Sequence, residues 1–198
     1  MNATLRSALR RNHGERLPRL NVWDFDDTLV ASHVVNARLE AEFPEIPHWK
    51  WSHDPEVSVP AALLAEPIPG AWDILRAQPG VKLVLTGRCA EAVEAWFDQW
   101  GDEPGYRGPI RAFVDIVSTS SKSAHKVQTA PAKAAYIASL CNIAEIHVYD
   151  DSTRNMTAIQ AACPAARTHL MRGGKVVAEN GVLVNPAGYT SSHRGLDT

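Results

Sequence analysis

The chain has 198 residues, 45% hydrophobic and 21% charged, which is the make-up of one globular domain with a buried core and too short for two full-sized ones. Its 20 Lys and Arg against 22 Asp and Glu give a formal net charge of -2, which excludes a strongly basic, non-specific nucleic-acid binder and is compatible with a local basic patch. Cys89, Cys141 and Cys163 are an odd number at wide spacings without a CxxC pair, so neither a disulfide scaffold nor a zinc cage is expected, and a reducing, cytoplasmic setting is.

Residues 1–19 set Arg6, Arg10, Arg11, Arg16 and Arg19 against the single acid Glu15, a basic arm with a short helix through Thr4 to Arg11. A solvated, frayed terminus is the plainer reading. The arm lacks an apolar stretch of signal-peptide length, and no apolar run in the chain is long enough to span a bilayer, so no membrane partner is expected. Leu20 to Trp23 is a short buried strand that runs into the polar cluster Asp24-Phe25-Asp26-Asp27-Thr28. Between Ala31 and Pro69, a helix beginning at Val34 is broken by repeated prolines, and residues 31–69 read as a small flap inserted beside the core.

A short helix over Gly70 to Arg76 stops at Pro79-Gly80, and Val81 to Leu85 is a buried strand ending at Thr86-Gly87-Arg88. Glu91 to Trp100 spaces Val93, Trp96, Phe97 and Trp100 as one helical face, a core signature. Ala112 to Val117 is a third strand, followed by a polar stretch with Lys122, His125 and Lys126. Pro131 opens a helix through Lys133 to Leu140, and Glu145 to Tyr149 is a fourth strand that ends at Asp150-Asp151. A helix over Asn155 to Ala162, a fifth strand over Arg167 to Met171 and a Gly173-Gly174 hairpin complete a core over 20–185, with a flexible tail at 186–198. Strands alternating with helices predict an α/β, Rossmann-like three-layer sandwich around a parallel sheet, whose ligands sit at the carboxyl ends of the strands.

The residues at those strand ends are the ones phosphoryl transfer needs. Asp24 and Asp26 are two apart, so in extended geometry their carboxylates point the same way; one is placed to attack phosphorus and the other to move protons. The Thr86 hydroxyl and neighbouring backbone N–H groups suit phosphoryl oxygens, with Gly87 permitting close approach, and Lys133 adds a fixed positive charge. Asp150 and Asp151 join Asp24 and Asp26 as hard oxygen ligands of the kind Mg²⁺ prefers. Asp27 faces the other way and reads as a turn or helix cap.

WDFDDTL, LVLTGR, Lys133 and VYDD, in this order and each after a suitable strand or on a suitable helix, resemble the four motifs of the haloacid dehalogenase (HAD) superfamily over roughly residues 20 to 170. The resemblance implies Asp24 as nucleophile, Asp26 as general acid/base, Thr86 as phosphate holder, Lys133 as charge neutraliser and Asp150-Asp151 as the acidic end of a Mg²⁺ site. Asp26 is the mark of the phosphatase branch. The chain is also similar to a HAD subgroup described as Swiss-army-knife RNA-repair-like, and to the 3'-phosphatase domain of phage polynucleotide kinase. That likeness rests on HWKWSHDPEV over residues 48–57 and on Thr129 four residues before Lys133. It departs after the acid pair, where Ser152 stands in place of the usual Arg and Arg154 is the nearest replacement.

The expected activity is a Mg²⁺-dependent phosphomonoesterase acting through an aspartyl-phosphate, on nucleic-acid 3'-phosphate ends or nucleotides. A small-metabolite phosphatase or nucleotidase, and a non-catalytic HAD-fold binding module, are the other readings. Gly87, Arg88, Trp49 and Trp51 are candidate substrate contacts. For Arg88 a bond to a core acid is the alternative, and for the tryptophans, which alternate as strand neighbours do, simple packing. His53 and Asn155 are candidates for a phosphate contact and for orienting the metal carboxylates.

Overall fold

A computed structural model describes residues 18–120, 129–141 and 144–184, together with Leu5, Ser7 and Ala8. Arg6, Arg10, Arg11 and Arg16 of the basic arm, then Lys122, His125 and Lys126, and the tail at 186–198 lie outside the described residues.

The β-branched apolar runs pair as a 7-stranded sheet in the order β3-β2-β1-β4-β5-β6-β7. Strands β1 (Arg19–Trp23), β2 (Val81–Thr86), β3 (Phe113–Ser118), β4 (Glu145–Asp150) and β5 (Arg167–Arg172) run parallel. β6 (Lys175–Glu179) and β7 (Val182–Leu183) are added antiparallel after the turn at Gly173 and Gly174, whose φ of 52° and 77° suit a glycine pair. The chain builds outward from β1 through β2 to β3 and then returns to place β4 on the other side. The crevice between the carboxyl ends of β1 and β4 is therefore the topological switch point at which open α/β sheets bind ligands.

Strand alternation divides the core into two layers. On one face Leu20, Val22, Leu83, Ile146 and Val148 meet Ile137 of α7 (Thr129–Ala138) and Ile159 of α8 (Thr153–Ala162). On the other, Trp23, Val84, Tyr149 and Met171 meet the helices α1 (Ser32–Glu42), α3 (Pro55–Leu63), α4 (Pro69–Ala77) and α5 (Ala90–Trp100). The result is an α/β three-layer sandwich. Trp72 anchors the second layer: it stacks on Trp96 at 5.8 Å, meets Tyr106 edge-on at 5.3 Å and donates its indole N–H to the Leu29 carbonyl at 2.9 Å.

Between β1 and β2 the chain is more helical than its prolines suggest. Pro55 and Pro69 stand in the first turns of α3 and α4, where their missing N–H costs nothing, and the Asp54 carboxylate caps α3 by accepting from Glu56 N. Trp49 and Trp51 do not alternate on a strand. Their segment forms the four-residue helix α2 (Lys50–His53), which Trp51 enters as a buried core residue. A second short helix, α6 (Arg107–Arg111), and β7 carry too few residues for their periodicity to register in the sequence.

The expectation that no cysteines pair is corrected. Cys141 follows the end of α7 and Cys163 caps α8, and the side-by-side packing of these helices brings their Cα atoms to 6.4 Å, where the two are joined as a disulfide. Sequence spacing carries no record of that packing. Cys89 is buried and free. Among the described residues no helix is long and apolar enough to cross a membrane.

Trp72→Ala is expected to lower stability by about 3–5 kcal/mol through the lost aromatic contacts and the cavity left behind. Equilibrium urea unfolding would show this as a lower midpoint at an unchanged slope.

Candidate active site

β1 ends at Trp23, and the Asp24 amide continues its ladder by donating to the Tyr149 carbonyl at 2.9 Å. This fixes the Asp24 backbone beside the end of β4, where Asp150 is the last residue. Lys133, from the middle of α7, reaches up between them and places its ammonium 2.8 Å from Asp24 Oδ1 and 2.8 Å from Asp150 Oδ2. All three side chains are buried. Burial pushes the Lys133 ammonium down, but the carboxylates of Asp150 and Asp24 more than offset that and hold it above its ordinary range, so it stays charged.

Asp150 is saturated with donors. Its Oδ1 accepts from Ser152 N at 2.8 Å and from Asn155 Nδ2 at 3.0 Å, and its Oδ2 accepts from Lys133 Nζ and again from Asn155 Nδ2 at 3.0 Å. Asn155 is held for this by α8, whose first turn is capped by the Ser152 hydroxyl. Asp151 differs. It is half-buried, no hydrogen bond to its carboxylate is found among the described residues, and burial together with Asp150 pushes its carboxyl up to about 7. Burial, reinforced by Asp150 and Asp151, also raises the Asp24 carboxyl well above its ordinary range, against the pull of Lys133.

Oxygens of Asp24, Asp150 and Asp151 lie within 4.8 Å of one another. Three carboxylates this close, two of them held up in pKa by desolvation and mutual repulsion, fit a hard divalent cation of the Mg²⁺ kind. Asp24 and Asp151 have oxygen valence to offer it, whereas Asp150 acts mainly through Lys133 and Asn155. Asp26, expected with these ligands, is not among them. The chain bends at Phe25, between the two, so the carboxylates of Asp24 and Asp26 find different partners.

Asp26 is held from the flap side. Its Oδ1 accepts from Arg88 Nε at 2.8 Å and from the Ser32 hydroxyl at 2.5 Å, and Arg88 Nη2 lies 2.8 Å from the same oxygen. No bond to Asp26 Oδ2 is found among the described residues. The Arg88 guanidinium is buried, and Nη1 donates to the Trp51 carbonyl at 2.8 Å and to the Ser58 hydroxyl at 3.0 Å. The structure therefore spends Arg88 on a core acid and on the flap helices, leaving no face of it for substrate. Trp51, buried at 4% exposure, is likewise closed to a ligand, while Trp49 is half-buried beneath Lys50. Asp27 turns away with φ of 56° and accepts from His33 N at the start of α1.

Thr86 closes the crevice from β2. Its hydroxyl accepts from Arg88 N at 3.0 Å, so its own O–H is left to donate, and its carbonyl accepts from Thr119 N at 2.8 Å. A Cβ at Gly87 would stand 3.0 Å from Thr129 Cγ2, so a side chain there would require Thr129 to shift by a few tenths of an ångström. His53 lies over this loop, its Nδ1 2.9 Å from the Ser120 hydroxyl. Burial chiefly, with the Arg88 charge, lowers its pKa, against a hydrogen bond with the Gly87 backbone. Ser32, Ser58 and Ser120 are the residues that sequence reasoning missed. A serine carries no local pattern that announces a partner 6 to 67 positions away.

No family model matches the chain, and no curated protein matches it. Solved structures do. L-2-haloacid dehalogenase from Xanthobacter autotrophicus, with chloropropionic acid covalently bound, is 13% identical and superposes with a TM-score of 0.51 over 74% of this chain and 75% of that one. CbbY from Rhodobacter sphaeroides in complex with phosphate is 14% identical, with a TM-score of 0.51 over 79% of this chain and 87% of that one. At such identities the likeness establishes the fold: a HAD-like α/β sandwich.

Because the Asp151 carboxyl sits at about 7, a cation must displace a proton from it at lower pH. Mg²⁺ affinity is expected to rise by at least about tenfold per pH unit below that value, and more steeply where Asp24, also raised, must lose a proton as well. Calorimetric titration on either side of neutrality at constant ionic strength measures this, and a flat profile would show Asp151 already ionised.

Proposed function

We propose that the protein is a Mg²⁺-dependent phosphomonoesterase that works through an aspartyl-phosphate on Asp24. The observation that carries this reading is the separation of two carboxylates two residues apart: Asp24 faces Lys133 and the acidic cluster, and Asp26 is anchored through one oxygen by Arg88 and Ser32 with the other left open. A nucleophile and a proton carrier need that difference of surroundings. The HAD-like fold supports the reading, as does the phosphate bound by CbbY.

In the first step an Asp24 oxygen forms a bond to phosphorus as the ester oxygen leaves, and Asp26 gives that oxygen its proton through Oδ2. In the second, Asp26 takes a proton from water, the water oxygen attacks phosphorus, and the bond to Asp24 breaks to release phosphate. Lys133 balances the Asp24 charge in both steps, and the Thr86 hydroxyl donates to a phosphoryl oxygen. A Mg²⁺ held by Asp24 and Asp151 would supply Lewis-acid charge to the phosphoryl oxygens.

The substrate class we favour is a phosphorylated nucleic-acid end or nucleotide, on the sequence resemblance and the arginines of residues 1–19. The burial of Trp51 leaves Trp49, half-buried, as the flap tryptophan placed to meet a base or sugar; the second reading is a small-metabolite phosphatase.

The test is Mg²⁺-dependent phosphate release by wild type and Asp24→Asn from an aryl phosphate, nucleoside 3'- and 5'-monophosphates, and 3'- or 5'-phosphorylated oligonucleotides. Release that is lost in Asp24→Asn is the expected result, and preference for 3'-phosphorylated oligonucleotides would establish end processing. Release from metabolites or mononucleotides alone selects the second reading, and release from nothing leaves a binding module. Arg88→Lys, which loses the fork that fixes Asp26, is expected to cut kcat by about 10²-fold with little change in KM. Unchanged steady-state kinetics in that variant would remove Asp26 from the proton path.

A further inference from the structure

At the end of the sheet opposite Asp24, the face that carries the aromatic core turns polar. Arg19 of β1, His147 of β4, His169 of β5 and Glu179 of β6 share that face, stepping two residues toward the carboxyl end from β1 to β4 and again from β4 to β5, where His169 stands opposite Glu179, and Gln78 stands just beyond the end of α4. A cavity of about 570 Å³ opens there, within the size range of small-molecule sites. Its floor is a column of rings: His147 stacks on His169 at 5.3 Å, His169 on Tyr149 at 4.5 Å and Tyr149 on Trp23 at 4.0 Å. The column ties the cavity rigidly to the core.

The charges around the cavity are unevenly matched. Glu145 and Glu179 each have an imidazole partner, at 3.2 Å from His147 Nε2 and 3.2 Å from His169 Nδ1, and Glu145 is also 3.7 Å from Arg167. The hydrogen-bond partners of Arg19 are neutral: Asn21 Oδ1 at 3.2 Å, Gln78 Oε1 at 2.6 Å, His147 Nδ1 at 3.3 Å and the Tyr149 phenol. Among the described residues no carboxylate lies within ion-pair distance of it. The acids of the cavity thus have imidazole partners, while a half-buried guanidinium is held in place by neutral groups and meets Glu145 only beyond ion-pair distance. A planar fork positioned in this way matches a phosphate or a carboxylate.

We infer that this cavity is a second ligand site, which binds a small oxyanion-bearing molecule with its phosphate or carboxylate on Arg19 and its body over the stacked imidazoles of His147 and His169. Arg19 lies five residues, about 16 Å of strand, before Asp24, and the cavity extends from it to His169, which stands level with Tyr149 and Trp23. The inference rests on binding and is independent of the phosphatase reading.

The test follows the histidine ring ¹⁵N resonances of the whole protein, assigned with His147→Gln and His169→Gln, during titration with inorganic phosphate and, separately, with succinate. A saturable shift of both rings with either probe is expected; the probe that produces it says whether the ligand is a phosphate or a carboxylate. Arg19→Gln is expected to weaken that binding about tenfold or more, the size of a lost charged hydrogen bond. Arg167→Gln, on the exposed wall, is expected to weaken it as well and serves where Arg19→Gln does not fold. Rings that neither probe shifts overturn the inference, as does affinity that the arginine substitutions leave unchanged.

Discussion

A lysine ammonium buried between two aspartates organises the carboxyl end of this sheet. Lys133 stands 2.8 Å from Asp24 and 2.8 Å from Asp150, so helix α7 is tied at one point to the two central strands. A buried charge is tolerable only when it is paired and hydrogen-bonded, and here each member depends on the others. Without the ammonium, two desolvated carboxylates would face each other with Asp151 beside them. The pairing also determines which oxygens remain available. Asp150 is consumed by Lys133, Ser152 and Asn155, which leaves Asp24 and Asp151 to meet a cation.

The flap repeats this arrangement with a second buried cation. Arg88 sits on the loop after β2, yet its donors reach Asp26, the Trp51 carbonyl and the Ser58 hydroxyl, so it joins the loop, the Asp26 carboxylate and helices α2 and α3 into one unit. Cys89 N donates to the Ser52 carbonyl at 2.8 Å and reinforces the same joint. Asp26 and Asp24, neighbours in the chain, are thereby placed in separate electrostatic settings, one anchored by a guanidinium and the other facing an ammonium and the acidic cluster. Division of labour between two chemically identical side chains depends on that separation.

Much of this was legible in the chain itself. The runs Leu20 to Trp23, Val81 to Leu85 and Glu145 to Tyr149 are short and mostly apolar, broken only by Asn21, Lys82, Glu145 and His147, and the structure places strands over all three. The helix carrying Val93, Trp96 and Phe97 was visible in its 3.6-residue period, and those side chains are buried. Prolines misled in the flap. A proline is read as a breaker, but Pro55 and Pro69 start helices, because the first turn has no use for their missing donor.

The sequence by itself determined which chemical groups stand at the ends of successive strands, because strand and helix periodicity are local properties of the chain and the polar residues that interrupt them are local too. Asp24, Thr86, Lys133 and Asp150 could be placed in order on that basis alone. Only the tertiary structure decided what each group touches: Arg88 on Asp26 instead of a ligand, Asp26 apart from the acidic cluster, Cys141 bonded to Cys163, and Arg19 facing a polar cavity with no described carboxylate within ion-pair distance. Those outcomes join residues 22 to 62 positions apart through the packing of helices and loops around one sheet. Partner choice at that range is set by which surfaces are buried against one another, and no periodicity along the chain encodes it.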